Sequence, residues 1–301
     1  MTTPSAHLLK LVAIIGPTAS GKSGWAVRLA KRFNGVILSA DSRQVYRGLD
    51  AITAKVTKQE MEGVPHYLLD VVKVGEEFSV AEYQKLAYKL LEKIKKDNRI
   101  SNTPLLPIVT GGTGLYVAAV CDGYEFADVE PNPQLRSRFA KLSLSALRKR
   151  LLKMDPDTTV DLANPRRIIR ALEILASGVK TKPKHNPRFE VLKIGIKRNR
   201  DEIKKRIEQR IRNINIGQLL TEAKLIAKSS ANRANPLSTY YRPAIAFLSG
   251  KLSRAEMLAE MVKADIAYAK RQMTWFRKDP SIHWVASFRE AEKQVGLWLN
   301  S

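Results

Sequence analysis

The sequence predicts an α/β fold: a parallel sheet with helices on both faces, plus a helical insertion domain. Three observations predict it. Short apolar runs alternate with helical segments through the first half of the chain, as strands buried on both faces require. Residues 131–180 are basic and read as helix, with no strand candidate. Strand character then resumes at Val191–Ile196, so the helical stretch interrupts the sheet.

In chain order, Leu11–Ile15 (LVAII) is an apolar run that ends in a glycine turn. Trp25–Phe33 follows as a helix with Ala26, Leu29, Ala30 and Phe33 on one face. Val36–Leu38 is a second strand, and Asp41 lies just past its end. Tyr67–Val72 (YLLDVV) is expected as a third. Ser79–Lys96 is an amphipathic helix opened by the capping box Ser79-x-x-Glu82. Leu105–Val109 (LLPIV) is a further strand that runs into Gly111-Gly112-Thr113-Gly114. Thr181–Pro187 is the best linker candidate on proline and charge content. The strand Val191–Ile196 leads to the charged helix Arg200–Arg212, and Thr221–Ser301 reads mostly as helix. Ligands of such sheets bind beyond the C-terminal strand ends. The turn at Gly16, Asp41 and Thr113 all fall at such ends and are expected to converge on one crevice.

The chain has 301 residues, with 52 Lys and Arg against 29 Asp and Glu, a net charge of +23. Its hydrophobic content of 44% is enough for a buried core and excludes global disorder. No apolar run approaches the ~20 residues that span a bilayer. Met1–Lys10 lacks the pattern of a secretory signal, so the cytoplasm is the expected compartment. The single cysteine, Cys121, excludes an intramolecular disulfide and a cysteine zinc site. Residues 1–130 carry 16 Lys and Arg against 14 Asp and Glu, and residues 131–301 carry 36 against 15. Nearly all of the excess therefore lies in the second part. That asymmetry points to a polyanionic partner, nucleic acid ahead of an anionic membrane surface. The plainer reading is a solubilising basic surface.

Gly16-Pro17-Thr18-Ala19-Ser20-Gly21-Lys22-Ser23 matches the phosphate-loop pattern G-x-x-x-x-G-K-[ST], after a strand and before a helix. Its glycines let backbone N–H groups wrap a phosphate, and the helix N-terminus adds a positive dipole end. Lys22 can neutralise a terminal phosphate and the Ser23 hydroxyl can ligate Mg²⁺. The loop does not name the reaction. A kinase or NTPase wants a second acidic metal ligand after an apolar strand. Asp41 and Asp70 are the only first-half carboxylates so placed. The strand at Leu105–Val109 ends in Thr110-Gly111-Gly112-Thr113 instead, which puts a neutral hydroxyl toward the phosphates.

Further blocks make the chain recognisable: Asp41–Asp50 (DSRQVYRGLD), Thr53-Ala54-Lys55, Val64–Asp70, Phe78–Tyr83, Gly111–Tyr116, Arg167–Glu173 with Ser177-Gly178, Arg206–Arg210 and Tyr268–Arg277 (YAKRQMTWFR). Together they cover most of the chain, which resembles the bacterial tRNA dimethylallyltransferases, also called tRNA isopentenyltransferases. The resemblance implies a P-loop NTPase-like parallel sheet, with a core of residues 1–125 and 188–301. Residues 126–187 are then a helical insertion that binds the anticodon stem-loop. The implied reaction moves a dimethylallyl group from dimethylallyl diphosphate to the exocyclic N6 amine of the adenine 3′ of the tRNA anticodon, and diphosphate leaves. The diphosphate sites implied are Gly16, Thr18, Ala19, Ser20, Gly21, Lys22 and Ser23, joined by Arg210 and by Arg206 one turn earlier on the same helix face. Mg²⁺ is the implied cofactor, on Ser23. Asp41 takes the general-base position and Thr113 is the second catalytic residue. The implied tRNA contacts are Asp41, Ser42, Arg43 and Gln44, then Arg166, Arg167 and Arg170, then Arg271 and Gln272 with Trp275. A packing role is the competing reading of that last set. A turn aspartate is the competing reading of Asp41, and a solvated helix face that of Arg206. His66 reads as a local hydrogen-bonding residue rather than a metal ligand. The expected partners are tRNA and dimethylallyl diphosphate, with no membrane, and the expected state is a monomer.

The sequence departs from the family pattern in places. Ile52 stands where glycine is usual, and Val56 where proline is. Ala163-Asn164-Pro165 replaces a typical Asn-Asp. Tyr240-Tyr241-Arg242-Pro243 replaces a Gly-Tyr-Arg-Gln-like motif, and Asn213–Gln218 lacks the usual Gly-Phe/Leu-x-x-Glu-Val. The alternatives are a P-loop kinase of a small metabolite, which has no use for the basic second part, and a non-catalytic RNA-binding relative.

Overall fold

The computed structural model describes residues 8–179, 184–229 and 236–301. In chain order the elements are β1 (Leu9–Ile15), α1 (Lys22–Arg32), β2 (Gly35–Ser39), α2 (Lys58–Met61), β3 (His66–Tyr67), α3 (Val80–Asn98), β4 (Leu106–Gly111) and α4 (Gly114–Cys121). Then come β5 (Tyr124–Glu125), α5 (Pro133–Ala140), α6 (Leu144–Met154), α7 (Pro165–Ala176) and β6 (Lys184–His185). The chain finishes with β7 (Phe189–Ile196), α8 (Arg200–Arg212), α9 (Ile216–Lys228), α10 (Pro236–Leu248), α11 (Arg254–Phe276), β8 (Ile282–Val285) and α12 (Phe288–Leu299). They form two compact units: the chain up to Asp122 with Pro187–Ser301, and Gly123–Asn186.

The first unit holds a six-stranded parallel sheet in the order β3-β2-β4-β1-β7-β8. Alternation along each strand feeds two cores. In β1, Leu9, Leu11, Ala13 and Ile15 enter one layer, and Val12 and Ile14 the other. The larger layer takes α3, α4, α8, α9, α10 and α11; the smaller takes α1 and α12. Strands β1 and β4 are neighbours, yet α1 and α4 leave them toward opposite layers. The chain thus parts at the C-terminal ends of β1 and β4, where doubly wound sheets bind ligands. On β7, buried Lys193 reaches Asp122 at 2.5 Å and Asp279 at 2.6 Å. Burial alone would lower its pKa, but these two carboxylates outweigh that and raise it.

Two elements differ from the sequence expectation. Tyr67–Val72 is not one strand: β3 stops at Tyr67, because Leu68 (φ +63) and Asp70 (φ +54) enter the left-handed region. Leu68 and Val72 are still buried, so the apolar run is real but is carried by a bent loop, with one bridge from Val72 to Tyr46. Within the helical C-terminal part lies a strand, β8, which pairs with β7 at the sheet edge. In the Thr181–Pro187 linker candidate, residues 181–183 lie outside the described residues, and Lys184-His185 is β6.

In the second unit β5 and β6 pair antiparallel, and the Asn186 N–H donates to the Gly123 carbonyl at 2.8 Å. Helices α5, α6 and α7 are N-capped by Asn132, Ser143 and Asn164, and α5 and α7 also begin with proline. They bury Phe139, Leu147, Leu151, Ile168, Ala171 and Leu172. Beside this core sits the carboxylate of Glu173, bonded by Arg136 (3.0 and 3.1 Å), Arg170 (2.6 Å) and the Asn132 N–H (2.6 Å). Burial would raise its pKa, but the hydrogen bonds from Arg170, Asn132 and Arg136 hold it below the ordinary value.

Candidate active site

The phosphate loop joins β1 to α1. The Pro17 carbonyl accepts from the Ser20 N–H (3.2 Å) and from the Lys22 ammonium (2.8 Å). Gly21, at φ +93, occupies a conformation that L side chains rarely adopt and feeds the chain into α1. The first turn of α1 contains no acidic residue, so its dipole end is not offset locally. Burial pulls the Lys22 ammonium down to about 8; Asp41 opposes this, and Arg210 and Arg43 add to it.

Asp41 comes from the turn after β2, which is bound tightly to β4. The Ala40 N–H donates to Thr110 (2.8 Å) and the Ala40 carbonyl accepts from the Thr113 N–H (3.1 Å). A Cβ on Gly111 would stand 2.1 Å from that Ala40 carbonyl oxygen, so the close approach requires glycine. Asp41 accepts from the Arg43 N–H at 3.0 Å, and the Arg43 side chain is 3.9 Å away. Arg43 in turn lies 4.1 Å above the Tyr268 ring.

These parts face one cleft of about 290 Å³. Of the expected site residues, Thr18, Ala19, Gly21, Lys22, Ser23, Asp41, Arg43, Gln44, Arg210 and Gln272 line it. Ile37, Ile52, Val56 and Leu69 give it an apolar wall, and His66 joins them. Gly16 and Ser20 are buried in the base of the loop, and the Ser20 hydroxyl has no partner among the described residues. The Arg206 guanidinium pairs with Glu202 at 3.1 Å and lies 3.7 Å from where a Gly21 Cβ would be. Arg271 is exposed, with its guanidinium 5.8 Å from the Tyr268 ring.

Three expected residues are engaged differently. The Thr113 hydroxyl does not line the cleft: it accepts from the Ser42 N–H (3.0 Å) and donates to the Ser42 hydroxyl (3.2 Å). It fixes the turn that carries Asp41, and Thr110 and Gly111 face the cleft from β4 instead. Gln272 is buried, and its amide is spent on the Thr18 N–H (2.7 Å) and the Gly112 carbonyl (2.7 Å). Asp70 is bonded to Lys55 at 2.6 Å and does not line the cleft, so Asp41 is the strand-end carboxylate that does.

In the second unit, Arg166 and Arg167 are exposed, and Arg167 is 3.9 Å from Asp161. Arg170 is held by Glu173 and by the Val129 carbonyl at 2.8 Å.

The Ser23 hydroxyl lies on the cleft wall with no protein hydrogen-bond partner among the described residues, so its oxygen lone pairs are open to the cleft. No group of three or more His, Cys, Asp or Glu among the described residues could cage a metal. An ion at Ser23 would be held by that one hydroxyl and by substrate phosphate oxygens, a ligand set that Mg²⁺ commonly accepts. His66 donates from Nδ1 to the Val64 carbonyl at 2.8 Å, and burial lowers its pKa against that bond.

Sequence reasoning missed two buried carboxylates. Asp265 on α11 pairs with Arg210, which also donates to the Thr18 hydroxyl at 2.9 Å. Glu222 on α9 accepts from the N–H groups of Asp50 and Ala51 (2.8 Å each) and from the Tyr241 hydroxyl (2.7 Å), and so anchors the segment that brings Ile52 to the cleft. The spacing Asp265, Tyr268, Gln272, Trp275 was the available signal, since it puts a polar stripe on one face of α11.

Comparison with known proteins bears on this site. A family model described as IPP transferase matches residues 44–279. The tRNA dimethylallyltransferase of Acidothermus cellulolyticus is 38% identical, over 99% of this chain and 96% of the relative. That of Thermoanaerobacter sp. is 37% identical, over 97% and 98%. Among solved structures, the tRNA isopentenylpyrophosphate transferase of Bacillus halodurans superposes with a TM-score of 0.70 at 34% identity, covering 97% of this chain and 95% of that one. A eukaryotic dimethylallyltransferase, described as acting on tRNA, gives a TM-score of 0.77 at 25% identity, over 92% and 74%.

Proposed function

The chain belongs to the IPP transferase family, and we propose that it transfers a dimethylallyl group from dimethylallyl diphosphate to the N6 amine of the adenine 3′ of a tRNA anticodon. One observation carries this reading: a phosphate loop, an apolar wall and the Asp41 carboxylate face a single cleft. A diphosphate in the loop lays its short hydrocarbon tail along Ile37, Ile52, Val56 and Leu69. The reacting carbon then lies between the loop and Asp41.

An exocyclic amine is a poor nucleophile because its lone pair is delocalised into the ring. Asp41 accepts the N6 proton as nitrogen attacks, while Arg43 orients the carboxylate. The new bond is N6–C1; the C1–O bond breaks and its electron pair leaves on diphosphate. Lys22, Arg210 and the α1 N-terminus neutralise that developing charge, with Arg206 close to Gly21. Mg²⁺, ligated by Ser23, would supply further charge neutralisation on the diphosphate oxygens. Thr113 acts by fixing the Ser42 turn. The target adenine must leave its stack to reach Asp41, with Ser42, Arg43 and Gln44 around it. Exposed Arg166 and Arg167 serve the anticodon stem-loop as phosphate contacts. Arg170, held by Glu173, supports that surface, and Arg271 adds a contact from α11.

The test is to incubate the chain with labelled dimethylallyl diphosphate, Mg²⁺ and unmodified tRNA. Label in the adenine beside the anticodon is the expected result. ATP-dependent phosphorylation of a small molecule, with no label transfer, would replace this reading with that of a kinase.

A further inference from the structure

Asp265, Tyr268, Gln272 and Trp275 lie along one face of α11, and each meets a different part of the site. Trp275 packs on Gly114, where a Cβ would stand 2.2 Å from its ring. Tyr268 carries Arg43. The other two converge on a single loop residue. The Gln272 carbonyl accepts from the Thr18 N–H and its amide donates to the Gly112 carbonyl, both at 2.7 Å. Asp265, 4% exposed, pairs with Arg210, which donates to the Thr18 hydroxyl. Thr18 is therefore pinned twice from outside its own loop, once through its backbone and once through its side chain.

A phosphate nest works only if successive N–H groups stay convergent, and holding them so beforehand removes an ordering cost from binding. We propose that Gln272 and Asp265 are positioning residues of the diphosphate site: they fix Thr18 so that the N–H groups of Ala19, Gly21, Lys22 and Ser23 are set for the ligand, the Ser20 N–H being spent inside the loop on Pro17. Gln272 does this work instead of contacting RNA, since it is buried and both ends of its amide are spent. The inference rests on reading the cleft as a prenyl-diphosphate site.

The test uses the full chain carrying Gln272→Met, Asp265→Asn, or both. Calorimetry with inorganic pyrophosphate reads the site without turnover. Steady-state assays at saturating tRNA separate KM for dimethylallyl diphosphate from kcat, filter binding gives tRNA affinity, and thermal melting checks folding. Each single variant is expected to weaken pyrophosphate binding about tenfold, the scale of one buried polar group left unpaired. KM for the prenyl diphosphate should rise in step, with kcat and tRNA affinity within about threefold. The double variant should lose less than the product of the two, because both act through Thr18. Unchanged pyrophosphate affinity and KM, or a loss confined to tRNA binding, would overturn the assignment. If Gln272→Met does not fold, Asp265→Asn decides by the same readouts. A wild-type chain that binds no pyrophosphate would instead refute the prenyl-diphosphate reading.

Discussion

Asp41 and Lys22 share one cleft and divide its chemistry by charge. Replacing Asp41 with Asn keeps the shape and removes the proposed base, so turnover should fall by about 10²–10⁴-fold. tRNA affinity should stay within a few-fold by filter binding; a comparable loss of affinity would make Asp41 mainly a recognition residue. Lys22 gives a pH signature. Its ammonium titrates near 8 in the folded chain, and a bound diphosphate favours the charged form. Binding should therefore take up close to no protons at pH 6.5–7 and toward one proton above pH 8, read by calorimetry in buffers of different ionisation enthalpy. Without ligand the lowered value has the opposite bearing on folding: the unfolded chain holds more protons between about 8 and 10.5, so this group's contribution to stability improves as pH rises through that window. Lys22 and Asp41 were legible in the sequence because a fixed local spacing, or a strand end, places them. The orientation of Thr113 and Gln272 was not legible, because Ser42, Thr18 and Gly112 decide where their polar atoms go.

At the scale of elements, the sheet's inner strands were readable because each is an apolar run buried on both faces. Strand β8 was not: Ile282-His-Trp-Val285 is four residues long, carries an exposed His283, and owes its pairing to the β7 edge. Tyr67–Val72 failed for the converse reason, since hydrophobicity reports burial and not backbone conformation, and two residues there have positive φ. The glycines after β4 serve packing as much as ligand. Gly111 lets the β2 turn approach, and Gly112 and Gly114 give room to Gln272 and Trp275. Gly111→Ala is expected to cost at least ~2 kcal/mol, because the obstacle is backbone that cannot rotate away. Chemical denaturation measures this; a loss under ~0.5 kcal/mol would mean that the two turns separate freely.

For the molecule as a whole, the charge has a finer division than two halves. Residues 123–186 carry 13 Lys and Arg against 7 Asp and Glu, and residues 187–301 carry 23 against 11, net +6 and +12. The larger share of the basic excess thus belongs to the C-terminal part and not to the helical unit. Diffuse charge of this kind binds a phosphate backbone and responds to salt. Reversing Arg166 and Arg167 to Glu should weaken tRNA binding and flatten the plot of log affinity against log salt by about 1 per lost contact. An unchanged slope would remove both from the RNA surface. The neck of the helical unit has a separate consequence. Its two ends are fastened side by side, by the Gly123–Asn186 hydrogen bond and by the register of Tyr124 with His185. An excursion that starts and finishes at one point makes no demand on the sheet for its own length. Helices there can be lengthened, shortened or exchanged over generations at the cost of loop closure alone, which grows only slowly with chain length. The length and make-up of that unit can therefore change while the register of the six-stranded sheet stays as it is.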